Sequence, residues 1–573
     1  MAQNYIIIED APQLDYLHDF VTLPRDYGSA AYYAREDVKA ICATVHGALD
    51  KLDERIHITE QLKSYKSVII KPNLVNVFHN AGYYDAKGNT DFPETTDPRV
   101  FDAVVSWFSQ RHHHLIIAES SGKPFPTTAS FKIAGYDRIA RRYGTELVAL
   151  ERRPVVRYLL PKAEVMREIL IPDTIDAVVR GEAYYISVPK MKTNIYTGVT
   201  LGFKNSMGTI PYFLRERNHS HAINKKLTDM LYLFKPDLVL IDGIIGGEGN
   251  TPAPVDPVDM RMIVASNHAV EADRLTTYMM GFDPAENALI QEADRRGFGS
   301  KEVEIVGTVR VTPFRPASPS MMRGTVHEKF PHVLALAGHD RRVGPKITDI
   351  HAVTPDMAFR IEQQCVGGCL SSVAMGFEAA SYGPAKRKHV TTRLVLVEGS
   401  GIEVDGQRYW FDREGKPYTK EDILALKSNI MVMGKCCGEE MLSIATFPIR
   451  GCCDPAECLN AVSNSLGIVT DQLHPIRNKS LVFKAVPGLL GTILWRTHWV
   501  LHGKEVDVPR QHEDKVFSTR PVSEAEMEQD YIAWPTGKLT WRERLSRIGD
   551  MGNLMGSLTG ICGMRKAHWQ KHK

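Results

Sequence analysis

The sequence predicts an α/β protein of more than one domain, built on a mainly parallel sheet with flanking helices. Three observations carry that reading. Short apolar runs alternate with longer helical patterns through the first three hundred residues, as in a parallel sheet covered on both faces. A second strand–helix pattern begins after a proline- and serine-rich stretch, "TPFRPASPSMMRG" (312–324). The length of 573 residues exceeds what one hydrophobic core normally organises. The expected division is an α/β domain over 1–305, a linker over 306–350, a smaller cysteine-rich α/β domain over 351–480 and a helical extension over 481–573.

In chain order, "SVIIKPNLV" (67–75) reads as a buried strand ending in a polar loop. "TDPRVFDAVVSWFSQR" (96–111) follows as a helix, capped by Asp97 with Pro98 in its first turn. "HLIIAESSG" (114–122), "EAYYISVPKMKTN" (182–194) and "PDLVLIDGIIGGEGN" (236–250) repeat the strand-then-polar-loop plan. "RMIVASNHAVEADRLTTYMMGFD" (261–283) is strand, turn and helix. Ligands of such sheets sit beyond the carboxyl ends of the strands, so the polar residues there should share one crevice. "RHHHL" (111–115) reads as a polar junction, because three adjacent side chains point in different directions and do not share one ion. Asp91 and Glu94 read as loop and capping residues.

The ordered series "VIIKPNLV", "ETTDPRVFDAVV", "IAESSG", "VPKMKTN", "GVTLGFKNSMG", "LVLIDGIIGGEGNTP", "IVASNHAVEADRLTTYMMGFDP" and "ADRRGFG" resembles the domain-of-unknown-function family three-six-two over about residues 65–300. The resemblance implies the α/β fold and an association with iron–sulfur motifs; it names no reaction. One departure is Asn267-His268, where the family pattern leads one to expect an Asp-Pro-like pair; Asp273 keeps its place.

Lys71, Lys190, Lys192 and Lys204 all follow or approach strand ends, with Asn73, Asn194, Asn205 and Asn250 beside them and His219 and His221 in "RNHSHA". Ammonium groups converging on one crevice suit a carboxylate or phosphate. Lys71, Asn73, Lys190, Lys204, Asn205 and Asn250 are therefore the candidate binding residues. Lys192, His219, Asp242 and Glu248 are the candidates for acid–base work. The glycines of "DGIIGGEGN" offer a close backbone approach to an anion, but their spacing fits neither a Walker loop nor a Rossmann fingerprint.

Seven of the nine cysteines fall in three short runs: "CVGGC", "KCCGEE" and "CCDPAEC". Each run lies at the start of a helical pattern, where thiolates are favoured. In a reducing compartment such clustering points to metal or redox chemistry. The expected ligands are Cys365, Cys369, Cys436 and Cys453, with Cys437, Cys452 and Cys458 as substitutes. A 4Fe–4S cluster is the expected cofactor and zinc the alternative. Cys42 reads as core and Cys562 as incidental.

A net charge of +2 argues against nucleic-acid binding. The N-terminal residues show neither a basic region nor an apolar leader, and no run reaches the length of a spanning helix, so the cytoplasm is the expected compartment. "VPGLLGTILWRTHWVLHGK" (486–504) has helical period and interfacial character: a helix docked on the protein's own core, or a peripheral membrane or protein contact. The expectation is an iron–sulfur oxidoreductase acting on a small anionic substrate, served by a ferredoxin-like electron donor. The rivals are a metal-dependent hydratase, isomerase or racemase, and a non-catalytic electron or cluster carrier.

Overall fold

The strands that read as continuous apolar runs are apolar because both of their faces are covered. In the computed structural model, Val68 and Ile70 face one apolar layer and Ile69 faces the other; Leu238 and Leu240 are divided from Val239 and Ile241 in the same way. Period-two alternation thus distributes each run between two cores. The structure describes residues 3–17, 22–75, 93–122, 126–211, 221–252, 255–340, 346–365, 368–382, 393–450, 455–466, 479–502, 521–534 and 540–542.

The first sheet has ten strands: β1 (Asn4–Asp10), β2 (Ser67–Pro72), β3 (Leu115–Glu119), β4 (Glu146–Ala149), and, after β5 (Val155–Leu159) and β6 (Glu168–Pro172), β7 (Ala183–Val188), β8 (Lys190–Asn194), β9 (Gly198–Thr200), β10 (Leu238–Glu248), β11 (Asp256–Ser266) and β12 (Val303–Val306). Its main path runs β12-β1-β11-β10-β7-β2-β3-β4, with β8 pairing β10 and β9. The β10-β7-β2-β3-β4 segment is parallel throughout. Helices Glu36–Ile56 and Pro98–Ser109 cover one face. The second has Asp97 as its N-cap, accepting from the Arg99 amide, and Pro98 in its first turn, as the sequence predicts. Helices Ile223–Met230 and Ala269–Met279 and the small β5–β6 sheet cover the other face. The Asn267-His268 departure is absorbed locally. His268 caps the Ala269–Met279 helix by accepting from the Glu271 amide, and Asn267 accepts from the Tyr5 amide.

The second sheet has seven strands: β13 (Val333–Ala337), β14 (Leu394–Glu398), β15 (Ile402–Val404), β16 (Gln407–Phe411), β17 (Pro417–Tyr418), β18 (Asn429–Met433) and β19 (Phe447–Ile449). β13, β14, β18 and β19 are parallel neighbours. Helices Cys369–Tyr382 and Pro455–Leu466 pack on one face. The stretch expected as a linker over 306–350 holds both irregular chain and elements of this sheet's region. Residues 308–320 have no regular structure, but Thr325–Lys329 is helical and β13 is an interior strand of this sheet. The short run "VLALA" is an apolar strand that the proline- and serine-rich lead-in obscured.

The C-terminal part returns to the first sheet's side of the molecule. The Lys479–Leu501 helix packs against Thr127–Ala134 and Arg152, and β20 (Ile532–Ala533) pairs with β5. The two sheets meet through side chains. Tyr196 Oη lies 2.8 Å from Ser372 Oγ, Ser371 Oγ donates to the Ile195 carbonyl at 2.9 Å, and Asn250 Nδ2 donates to Glu378 at 2.8 Å. The turn just past β8 is thus fastened to the helix that begins at Cys369.

Candidate functional site

The carboxyl ends of β2 and β3, the first half of β8 and the middle of β10 bring three of the four predicted lysines into a buried polar layer, and Lys204 lies beside it. Lys71 Nζ donates to Glu119 at 2.8 Å, to Asn205 Oδ1 at 2.9 Å and to the Pro72 carbonyl at 2.9 Å. All three ammonium hydrogens are therefore used. Asn205 and Asn73 serve this group: Asn205 Oδ1 also accepts from Asn73 Nδ2 at 3.1 Å, and the Asn73 amide donates to Thr96. The Asn73 side-chain oxygen is buried without a hydrogen-bond partner. Packing around the Lys71–Glu119 pair is so close that a Cβ on Gly208 would lie 2.6 Å from Lys71 Nζ.

Lys190 and Asp242 face each other across the β8–β10 register, their charged atoms 2.9 Å apart and both side chains fully buried. Asp242 also accepts from the Asp97 and Ile244 amides. Burial raises its pKa, Lys190 opposes the rise and Asp97 adds to it. Lys192, two residues on along the same side of β8, is also fully buried, but its ammonium donates to the Glu94 carbonyl and, among the described residues, pairs with no carboxylate. Its pKa falls to about 7. Burial is the chief cause and Lys204 the next; Glu94 opposes the shift and Lys190 adds to it. Burial thus moves the free amine of Lys192 within reach of neutral pH. Gly247 of β10 faces this position, and a Cβ on it would lie 3.2 Å from that of Lys192.

Residues 68–278 match the family model described as Domain of unknown function (DUF362). The matched segment contains all four lysines and ends before every residue of the cysteine runs. The chain is also 27% identical over 251 residues to Thylakoid-associated protein sll1697 of Synechocystis sp., an alignment that covers 42% of this chain and 70% of the relative. No solved structure matches the chain.

Several predicted residues lie elsewhere. Glu248 accepts from the Arg315 amide at 2.8 Å and forms an ion pair with that side chain, away from Lys192. Asn250 joins the two sheets through Glu378 and Ser318. Asn194 orders the turn after β8 by accepting from the Tyr196 and Thr197 amides. In "DGIIGGEGN", Gly243, Gly246 and Gly247 lie inside β10 rather than in an open loop, and they admit Met191, Phe314 and Val255. His219 lies outside the described residues, as does Asp91; His221 stands in a turn before the Ile223–Met230 helix. Glu94, read as a loop or capping residue, does lie in a turn, and it is fully buried there beside Lys192. Glu119 closes the motif "IAESSG", but no periodic feature of the sequence sets it apart as the partner of Lys71. His112 and His114 bond backbone carbonyls, as befits a polar junction.

The second cluster stands at the carboxyl ends of β13, β14 and β18. Cys369 opens its helix, and Cys436 and Cys437 occupy a short turn directly after β18. Cys437 Sγ lies 3.3 Å from the Met433 carbonyl. Its pKa is pushed well above the ordinary thiol value, first by the hydrogen bond with Cys436, then by burial, with the charges of Cys436, Cys369 and Glu398 adding. Glu398, the last residue of β14, is buried 3.7 Å from His339 Nε2; burial and then Cys436 raise its pKa well above normal. Glu362 is lifted to about 8 by burial and by Glu398. Sequence reading missed Glu398, Glu362 and His339, and only the strand-end position of Glu398 in "LVLVEGSG" could have pointed to any of them. Cys365 is half-buried and Cys458 packs in the core. Cys452 and Cys453 lie outside the described residues. Among the described residues, no group of three or more His, Cys, Asp or Glu side chains is placed to hold a metal ion.

Proposed function

We propose that the chain is an enzyme acting on a small anionic substrate, a carboxylate or phosphate, at Lys192, in a reducing compartment such as the cytoplasm. The observation that carries this reading is the state of Lys192: buried, close to Lys190 and Lys204, and bonded to a carbonyl, whereas Lys71 and Lys190 have carboxylate partners. Lys71 and Lys190 are held by Glu119 and Asp242 and form the frame. An arriving anion would supply the counter-charge that Lys192 lacks and raise its pKa. The amine would take a proton as the anion binds, or remove one from the substrate as a general base near neutral pH.

An iron–sulfur cluster on Cys365, Cys369, Cys436 and Cys453 is the second part of the proposal. The donor chemistry suits it: soft thiols are gathered with Glu398, acids that burial and one another hold protonated and that a cation would let ionise. Bound there, it would supply one-electron or Lewis-acid chemistry. The Ile195–Tyr196 turn, fastened to the Cys369–Tyr382 helix, is three to four residues from Lys192, roughly 10–13 Å of strand. Zinc on the same thiols, with hydratase or isomerase chemistry, is the competing reading, and a ferredoxin-like donor is needed only for the redox one.

Two measurements test these parts separately. Calorimetric titration with phosphate and with small dicarboxylates should show binding that is accompanied by proton uptake at Lys192 near pH 7 and is lost in Lys192→Met; equal binding by that variant would remove the anion-site reading. Iron and acid-labile sulfide analysis of anaerobically purified protein should find both; stoichiometric zinc without iron would replace the redox reading by its rival.

A further inference from the structure

Among the described residues, the side-chain bonds that hold the Lys479–Leu501 helix to the protein come from one side. Arg152 donates to the Gly488 carbonyl at 3.0 Å and reaches Thr492, while Trp499 Nε1 donates to the Arg152 carbonyl at 2.6 Å. Gly488 fits because a Cβ there would lie 2.8 Å from Pro126. Helical spacing places Phe483, Leu490, Leu494 and Leu501 in a row on a different side. Phe483 is 75% exposed and Leu494 70%, and Leu490, Leu501 and the adjacent Trp495 are exposed as well. From Phe483 to Leu501 the row runs about 27 Å at 1.5 Å per residue. No helix among the described residues is long and apolar enough to cross a membrane.

Charge indicates what covers this row. Between Asp471 and Glu505 the sequence holds Arg477, Lys479, Lys484, Arg496 and Lys504 and no acidic residue. A chain whose overall balance is only +2 thus has three cations and no acidic residue within this helix, and two more cations in the sequence flanking it. An apolar row, tryptophan beside it and exclusively basic charge form the pattern of a helix lying in the interface of an anionic bilayer. A protein partner or a second copy would be served equally well by mixed charges at the rim.

We infer that the Lys479–Leu501 helix is a docking surface for an anionic lipid bilayer, lying in the plane of the interface with Phe483, Leu490, Leu494 and Leu501 inserted. The helix packs on Thr127–Ala134, which follows the carboxyl end of β3, so the docked protein holds the lysine-bearing side of its first sheet near the lipid surface.

Co-sedimentation of the full chain with vesicles tests this. Equimolar phosphatidylcholine–phosphatidylglycerol vesicles should carry the protein down, phosphatidylcholine vesicles should do so at least about tenfold less well, and raised salt should weaken the binding. The double variant Leu490→Asp/Leu494→Asp should lose at least about tenfold in vesicle affinity while keeping its thermal unfolding profile. Phe483→Ser, a milder change at the helix start, should lose affinity in the same direction and serves if the double variant does not fold. Failure of the wild-type chain to bind phosphatidylglycerol vesicles overturns the inference. So does undiminished binding by the variants, equal binding to both vesicle types, or a dimer of the wild type that the variants convert to monomer without any lipid binding.

Discussion

The two sheets carry opposite chemistry at equivalent places. Parallel strands end at each cluster, and loops beyond those ends converge because the topology makes them converge. At the first sheet the converging groups are lysines, and burial drives the unpaired one toward its neutral amine. At the second sheet they are thiols and carboxylates, and burial drives Cys437, Glu362 and Glu398 toward their neutral acids. The same desolvation thus leaves one region short of an anion and the other short of a cation. The comparison also separates frame from function within the first cluster: among the described residues, Lys71 and Lys190 have carboxylate partners, whereas Lys192 bonds a backbone carbonyl.

The sharpest way to break that separation is to remove a framing lysine. Lys71→Ala would leave Glu119 charged and buried with its cation gone, which costs about 3–5 kcal/mol. Chemical denaturation should show the loss at neutral pH, and a change below about 1 kcal/mol would mean that the pair is solvated and the frame misassigned.

Lys192→Met should act in the opposite direction. The native amine has a pKa of about 7 and an ordinary lysine 10.5, so between those values the unfolded chain binds more protons than the native one. Wild-type stability should therefore rise as pH increases from 7 towards 10.5, and below that window the full burial penalty remains. Methionine removes the penalty, so the variant should be more stable than wild type by roughly 3 kcal/mol at pH 7, a gain that shrinks as pH rises. Urea titrations at several pH values measure it; a variant destabilised at every pH would show Lys192 to be a structural lysine like Lys71.

Much of this was legible in sequence because strand ends are legible. A run such as "VIIKPNLV" must place Lys71 at a carboxyl end once the sheet is parallel, and the "VPKMKTN" spacing puts Lys190 and Lys192 on one side of β8. Partners were not legible. Nothing local distinguishes Glu119, 48 positions from Lys71, from any surface glutamate. The glycines of β10 look like a loop because glycine marks both open turns and close packing, and only the neighbouring Met191 and Phe314 decide between them. Glu398 escaped notice because attention to cysteine leaves a single carboxylate at a strand end looking like a cap.

The second region should give the opposite pH signature in the metal-free chain. Glu362 titrates near 8 against an ordinary 4.5, so the native state holds the extra proton across that window and stability should fall as pH rises through it. Glu362→Gln should flatten this fall and be more stable than wild type by roughly 2 kcal/mol at pH 8. The gain is less than the full shift implies, because glutamine keeps one acceptor for the Met321 and Met322 amides but meets the Ser320 hydroxyl with a donor. If stability instead rises with pH across this window and the variant changes nothing, the second cluster is not an acidic pocket awaiting a cation.

The smallest change tests whether the two regions work together. Tyr196→Phe deletes one hydroxyl, whose oxygen lies 2.8 Å from Ser372 Oγ, and leaves the ring in place against the second core. A neutral hydrogen bond of this kind contributes about 0.5–1.5 kcal/mol, so global stability should drop by no more than that. The useful readout lies elsewhere. Tyr196 follows β8, whose register holds Lys190 opposite Asp242, and Ser372 sits one helical turn from Cys369. If the regions are mechanically joined, loosening this contact should shift the pH midpoint of anion binding at Lys192 and change cysteine accessibility to a thiol reagent in the same protein. If the pH midpoint and the thiol labelling both stay at wild-type values while stability falls, the contact is simple packing. The two clusters would then be independent sites that happen to share a chain.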